Sequence, residues 1–117
     1  MRLKTYAAGL LFQLNGKEKL IDAQELELFY TPVIPTKNSM PWLKKELPGS
    51  DIKASYGLGW RILDLNNRRI IFHGGWLKGF LNIIAFIPDR KIGIVILHNS
   101  ETSFALKTAI NFLRKID

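Results

Sequence analysis

The sequence predicts an α+β fold in which helices pack on an antiparallel β-meander of about four strands. Three observations lead to this class: apolar residues at helical spacing in the region 1–30, β-rich runs with short links in the region 56–98, and an apolar helical stripe in the region 100–116. The 117 residues, 47% of them hydrophobic, suffice for one core and not for two. We therefore predict a single domain over residues 1–117.

The first thirty residues are predicted to be helical. A first helix is indicated by apolar residues at i, i+4, i+7, i+8 and i+11, which are Leu3, Ala7, Leu10, Leu11 and Leu14. Asp22 and Glu25 have the spacing of a capping box, so a second helix should run from about Ala23 to Tyr30. Pro32 then stops that helix.

Residues 31–55 carry no sustained hydrophobic period. They contain four prolines, which is typical of a long irregular connection. Within it, Trp42 and Leu43 are the apolar pair expected to contact the core. We therefore predict an irregular loop over 31–55.

Four β-rich runs follow, and short links between them favour an antiparallel meander. The links are Asn66-Asn67, Gly75–Gly79 and Asp89–Lys91. The last run, IGIVIL, is continuously apolar, which is expected of a strand covered on both faces. The four predicted strands are Tyr56–Leu65, Arg69–Gly74, Phe80–Pro88 and Ile92–His98.

A last helix closes the chain and is predicted to cover the sheet. Asn99 or Ser100 is expected to cap its start. Its apolar stripe consists of Leu106, Ala109, Ile110 and Leu113.

The strands of a meander alternate in direction, so the first and third links lie at one end of the sheet and the second link lies at the other. The candidate side chains therefore fall into two groups. One end collects Arg68, Arg69, Arg90 and Lys91. The other end gathers the residues from which a site is predicted, which are Tyr56, His73–Trp76 and His98. Glycines after a histidine leave backbone N–H groups unshielded, so that an oxyanion can approach them; the simpler interpretation is a bend in the chain.

Composition excludes several other classes. The net charge of +7 is scattered in pairs without aromatic interleaving, so no nucleic-acid site is predicted. Cysteine is absent and neither histidine has an acidic residue at ligand spacing, so no metal or other cofactor is predicted. No apolar run reaches the roughly 20 residues of a membrane span, and no signal peptide is recognised, which predicts a cytoplasmic protein if the chain is complete.

The order of the later motifs resembles a known family. YGLGW, then HGG, then GFLNIIAFIPDRKIGIVILHN and a closing helix are similar to the C-terminal part of the serine β-lactamase and penicillin-binding-protein superfamily, in its class C and esterase-like branch. The upstream LLFQLNG and LIDAQELELFYTPVIP resemble the helices that precede YGLGW in that branch. The resemblance covers nearly the whole chain but about the last third of a family catalytic domain. Family members commonly work in the bacterial envelope or periplasm.

The resemblance implies roles for the residues of one strand. Catalysis in the superfamily combines an S-x-x-K, a Tyr-x-Asn or Ser-x-Asn, and a K-T-G strand that is often H-x-G in this branch. His73-Gly74-Gly75 matches the third element. The backbone N–H of Trp76 would then be half of the oxyanion hole, and His73 would face the substrate. Tyr56 and His98, which the meander places at the same end of the sheet, are further binding candidates.

The other two catalytic elements are not found in these 117 residues. Ser50-Asp51-Ile52-Lys53 satisfies S-x-x-K as a string, but Pro48-Gly49 precedes it and a glycine-bearing strand follows, whereas nucleophile and lysine must share a helical turn. No tyrosine or serine is followed two residues later by asparagine.

These observations lead to one main interpretation and one alternative. The main one is a C-terminal fragment of a serine hydrolase of the β-lactamase, D-Ala-D-Ala carboxypeptidase or esterase type, inactive alone and needing an N-terminal catalytic portion in trans. The alternative is a non-catalytic interaction module that binds a protein or an anionic partner through a sheet edge or its basic hairpin tips. In either case the edge strand Ile92–Leu97 is predicted to form a homo-oligomer.

Overall fold

The computed structural model describes residues 3–15, 22–36, 41–100 and 102–116. The helices are α1 (Leu3–Asn15), α2 (Ala23–Phe29), α3 (Pro41–Glu46) and α4 (Phe104–Lys115). The strands are β1 (Ile34–Pro35), β2 (Ile52–Tyr56), β3 (Arg61–Leu65), β4 (Arg68–Leu77), β5 (Phe80–Ile87) and β6 (Ile92–His98), with one 3-10 turn at Pro88–Arg90. Within the predicted helical region 1–30, residues 1–2 and 16–21 lie outside the described residues.

The six strands form one antiparallel sheet in the order β1-β2-β3-β4-β5-β6. The α+β class and the meander are therefore confirmed, and β6 has the predicted bounds. The sheet has six strands instead of the predicted four or so, because the prediction of an irregular loop over 31–55 is wrong in part. This region contributes β1, α3 and β2. Strand β1 joins the sheet by pairing with β2, with Ile34 opposite Tyr56 and Pro35 opposite Ser55.

The predicted strand Tyr56–Leu65 is interrupted, which is a second correction. Residues 57–60 form a turn, closed by a hydrogen bond of 2.8 Å from the Gly57 N–H to the Trp60 carbonyl. Gly59 has φ +84°, a conformation that disfavours any residue with a Cβ. Tyr56 therefore ends β2, and Arg61 begins β3 beside it.

The predicted link Gly75–Gly79 is the third correction. Strand β4 continues through Gly74 and Gly75, which pair with Ile83 and Asn82 of β5. The turn is only Lys78-Gly79, and the positive φ of +83° falls on Gly79. The glycine pair is thus an extended part of the strand, because β5 supplies hydrogen-bond partners along its whole length.

Helix α4 covers one face of the sheet. Its predicted apolar stripe is confirmed, and Leu43 of α3 is fully buried in the same cluster. The helix begins at Phe104 after an N-cap at Ser103, so the predicted cap at Asn99 or Ser100 is wrong. The buried residues of this cluster are Leu43, Leu63, Leu65, Ile70, Phe72, Ile83, Ala85, Ile87, Ala105, Ala109, Ile110 and Leu113.

Helices α1 and α2 cover the opposite face. The predicted N-cap of α2 is present as a hydrogen bond of 2.8 Å from the Glu25 N–H to Asp22 Oδ1, which is one half of a capping box. Aromatic edges fill the middle of this layer, where the Trp60 and Tyr30 rings lie 5.2 and 5.3 Å from that of Phe86. The buried residues here are Leu10, Leu26, Tyr30, Ile62, Ile71 and Phe86.

The apolar stripe predicted on α1 is divided between core and solvent. Leu10 is buried over Gly93 of β6, and Leu14 packs on the same cluster. Leu3 and Leu11 are 56% and 58% exposed. The helix is held by Tyr6 and Gln13, so its buried face is rotated from the one that hydrophobicity alone indicates. None of the helices in the described ranges has the length and apolar content to traverse a bilayer.

Candidate functional site

Strand β4 is longer than its neighbour β3, and this difference creates an open edge. The last β3–β4 pair is Arg61 with Phe72. Beyond it, residues 73–77 pair with β5 on one side, and no strand among the described residues lies on the other. The sequence HGGWL is therefore the half of β4 with a free side.

The register decides which backbone groups point to this free side. The pair that closes a two-residue hairpin exchanges hydrogen bonds, and bonding alternates from there along the strand. His73 and Gly75 thus direct their N–H and C=O groups to β5. Those of Gly74 and Trp76 point to the open edge, two residues apart.

His73 lies on the face of the sheet that carries α1 and α2. Its side chain is exposed and stands edge-on to Trp60, with the ring centroids 6.3 Å apart. Gly75 lies on the same face beside Asn82, whose Nδ2 donates to the Tyr6 hydroxyl at 2.8 Å. Because Gly75 has no side chain, the surface next to His73 is a shallow depression, and the polar groups of Asn82 and Tyr6 border it.

Trp76 and His98 lie on the other face, in one cross-strand row with Leu81 between them. The Trp76 side chain is 66% exposed. The His98 ring lies 5.3 Å from that of Phe104, and its Nδ1 is buried with no hydrogen-bond partner among the described residues. The two histidines are thus on opposite faces and are not brought together.

Tyr56 is also apart from His73. It ends β2 opposite Arg61, so β3 separates it from β4, and it shares the face of α4. Its side chain is 37% exposed. Of the residues predicted for the site, only the contiguous segment His73–Trp76 lies along one strand edge, with its side chains alternating between the two faces.

Ser50 is placed at the opposite end of the sheet, outside any helix. Its N–H donates to the Leu47 carbonyl at 3.2 Å, and its Oγ accepts from Asn66 Nδ2 at 3.2 Å. Lys53 belongs to β2 and lies 3.9 Å from Asp51. A serine in a turn and a lysine on a strand do not form the helical proton relay that an S-x-x-K nucleophile requires.

The end predicted to hold basic tips contains an open polar cleft of about 360 Å³ that sequence reasoning missed. Arg69 donates to both carboxylate oxygens of Asp64 at 2.7 and 3.1 Å, and this hydrogen bond is the main cause that raises the pKa of the guanidinium. The lining residues are far apart in sequence, so no local signal indicates the cleft. They are Glu27, Tyr30, Asp51, Lys53, Asp64, Asn67, Arg69, Pro88 and Asp89.

Two of the predicted basic residues at this end are used within the fold. Arg68 donates to carbonyl oxygens at the end of α4, and Arg69 is paired as described. Arg90 and Lys91 are exposed. In the described part of the chain, no group of three or more His, Asp or Glu residues is placed to hold a metal ion.

The chemistry available at the open edge is that of backbone donors. Gly74 and Gly75 carry no side chain that would shield the strand, and an anionic oxygen beside it would accept from the Trp76 N–H. His73 adds one imidazole on the flank. The edge is thus suited to bind and stabilise a negatively charged oxygen.

The family model described as Beta-lactamase matches residues 4–115. No curated protein matches the chain. Because the match spans almost all of the sequence, the chain belongs to the β-lactamase family.

Proposed function

We propose that this chain supplies the oxyanion strand of a serine hydrolase in the class C and esterase-like branch of the family. The observation that carries the proposal is the open edge of β4, where the Trp76 N–H points away from β5. His73-Gly74-Gly75 stands where other branches have K-T-G, which favours this branch. The substrate class is an activated acyl group, an amide or an ester, whose carbonyl oxygen becomes anionic during attack.

The reacting serine is proposed to come from another polypeptide segment. The sequence has no Tyr-x-Asn or Ser-x-Asn, and its S-x-x-K string lies across a turn and β2 rather than on a helix. An oxyanion donor lowers the energy of a tetrahedral intermediate but does not form one. The chain alone is therefore inactive, and a portion carrying the other two elements completes the site in trans.

The decisive experiment removes one N–H. The chain is mixed with a β-lactamase-family polypeptide that carries the S-x-x-K helix and the Tyr-x-Asn but ends before its own oxyanion strand. The assay follows the hydrolysis of a chromogenic β-lactam or an activated ester. Trp76→Pro deletes the donor without removing a β4–β5 bond, and we expect kcat to fall by about 10²–10³-fold. Trp76→Phe keeps the donor and should retain activity within a few-fold.

Two results would contradict the proposal. Equal kcat for Trp76→Pro and Trp76→Phe would show that this N–H is not the oxyanion donor. Acylation of the isolated chain by a fluorescent penicillin, lost in Ser50→Ala, would show that the chain carries its own nucleophile.

A further inference from the structure

We propose that Trp60 is a positioning residue for His73. Its indole holds the imidazole toward the open edge of β4, where the imidazole contacts a polar group of the substrate. The inference rests on the proposed function, because it assigns a role within the same site. It is carried by the row of side chains that contains both rings, by the contacts of each ring, and by the turn that fixes Trp60 in place.

Trp60 and His73 are neighbours in one cross-strand row. The last pair of β3 with β4 is Arg61 with Phe72, so the residue before Arg61 falls next to His73, on the face that carries α1 and α2. On its other side, His73 is opposite Ile84 of β5. Trp60 therefore lies on the β3 side of His73, which is the side of the open edge.

The contact with Trp60 is the specific restraint on the His73 imidazole. The two ring centroids are 6.3 Å apart and the ring planes are nearly perpendicular, at 83°, a geometry that aromatic pairs favour. Within the described part of the chain the imidazole makes no hydrogen bond and no ion pair, and its neighbour on the β5 side is the aliphatic Ile84. The indole thus orients the ring, while both ring nitrogens stay available to a substrate.

Trp60 is itself held in place by the core and by the backbone. Its half-buried ring lies 5.2 Å from that of Phe86, whose ring lies 5.3 Å from that of Tyr30. Its carbonyl closes the turn between β2 and β3 by accepting from the Gly57 N–H. That turn is pressed against the end of α2, because a Cβ on Gly57 would lie 2.8 Å from a carbonyl oxygen of the helix. A fixed indole can therefore orient an imidazole that is otherwise exposed.

The orientation of the imidazole matters because of the donors beside it. The N–H groups of Gly74 and Trp76 point out from the open edge, roughly in the plane of the sheet. An imidazole that leans toward Trp60 flanks an acyl group bound there, whereas one that leans toward β5 points away from it. A neutral imidazole offers one N–H donor and one acceptor, so the group that it binds is a polar one next to the reacting carbonyl. Holding the ring in advance removes the entropic cost of ordering it on binding.

Nuclear magnetic resonance of the chain tests the positioning without any catalysis. The chain has two histidines, so His73→Gln assigns their ring-proton signals. We expect Trp60→Leu to shift the signals of His73, because it removes the ring current of the indole, and to leave those of His98 unchanged.

Phe29→Leu is the matched control for the loss of packing. It removes another half-buried aromatic ring from the same cluster and should shift the signals of neither histidine. Unchanged His73 signals in Trp60→Leu would overturn the proposal. So would the absence of a nuclear Overhauser contact between the Trp60 and His73 rings in the unmodified chain, a result that does not depend on whether a variant folds.

A double-mutant cycle separates positioning from a general structural role. In the mixture with the S-x-x-K polypeptide, Trp60→Leu should lower kcat/KM by about three- to tenfold, the equivalent of one hydrogen bond to the substrate. The same substitution should have no further effect in a His73→Ala background, because the residue through which Trp60 acts is then gone. Trp60→Phe keeps a ring and should recover part of the loss.

The outcomes distinguish this role from the proposed function. Equal losses for Trp60→Leu in the two backgrounds would overturn the positioning role, while the effect of Trp76→Pro would still support the oxyanion strand. An inactive mixture would contradict the proposed function, and the ring-proton signals of His73 would still decide whether Trp60 positions it.

Discussion

Arg68 Nη1 lies 2.7 Å from the carbonyl oxygen of Ile116, the residue that follows the last turn of α4. The same nitrogen donates to the carbonyls of Leu113 and Arg114 at 2.9 and 3.1 Å. A cation at a helix C-terminus satisfies carbonyls that lack intrahelical donors and opposes the negative end of the dipole. The first residue of β4 thus fastens the last helix to the sheet.

Removing this contact is predicted to loosen α4. Arg68→Ala should lower the free energy of unfolding by about 1–3 kcal/mol, since it leaves partly buried carbonyls without their charged donor. Arg68→Lys keeps a charge but offers a single point donor, so an intermediate loss is expected. Urea denaturation measures both variants. Equal stability of Arg68→Ala and the unmodified chain would contradict this role.

Glycines of α1 and β6 are predicted to respond in opposite directions to alanine. A Cβ on Gly93 would lie 2.7 Å from Leu10 Cδ1 and 2.8 Å from the Ala85 carbonyl oxygen, so Gly93→Ala should cost about 1–3 kcal/mol. A Cβ on Gly9 meets nothing within 4 Å, and Gly9→Ala should add about 0.5–1 kcal/mol by helix propensity. Thermal unfolding of the two variants gives the comparison. A stabilised Gly93→Ala would show that α1 does not rest on β6.

The two histidines are predicted to differ in their contribution to stability. His98 keeps Nδ1 buried without a hydrogen-bond partner among the described residues, so His98→Phe should raise the free energy of unfolding by about 1 kcal/mol and extend the contact with Phe104. His73 is exposed, and His73→Phe should change stability by less than about 0.5 kcal/mol. Chemical denaturation at neutral pH measures both. A destabilised His98→Phe would mean that Nδ1 has a partner in solution.

Alkaline pH is predicted to destabilise the chain through Tyr30. Burial, and then the charge of Glu27, raises the pKa of its hydroxyl above the ordinary value. The stabilisation from a protonated, buried Tyr30 is therefore fully present below about pH 10 and is lost as pH rises from there through the folded-state pKa. Tyr30→Phe should unfold more easily at neutral pH, because the bond to Gln13 is gone, but should show a shallower loss above pH 10. Identical alkaline slopes would contradict the assignment.

Local signals in the sequence account for part of the fold. The β6 bounds, the Asp22 cap of α2 and the α4 stripe each depend on short-range patterns, and all three are confirmed. The Asn66-Asn67 turn was also predictable, because both residues take the positive φ that asparagine tolerates.

The remaining elements depend on tertiary partners. Gly74 and Gly75 are typical of a bend, yet they lie in a strand because β5 pairs with them. YGLGW alternates like a strand, yet it turns, and a Cβ on Gly57 would lie 2.8 Å from the Phe29 carbonyl oxygen of α2. The position of the candidate site was indicated by motif order. The open edge of this site was not indicated by the sequence, because it arises from the difference in length between β4 and its neighbour β3.

The position of the short turn between β2 and β3 decides how much of the HGG segment is left unpaired. It closes at the Gly57–Trp60 hydrogen bond, one residue before β3 begins pairing with Phe72. Inserting two residues into each arm of that hairpin would extend β3 so that it pairs with β4 as far as Gly74. The backbone N–H and C=O of Gly74 would then be hydrogen-bonded to β3. Related chains with longer arms here would therefore keep the motif in their sequence while losing the open strand edge beside it.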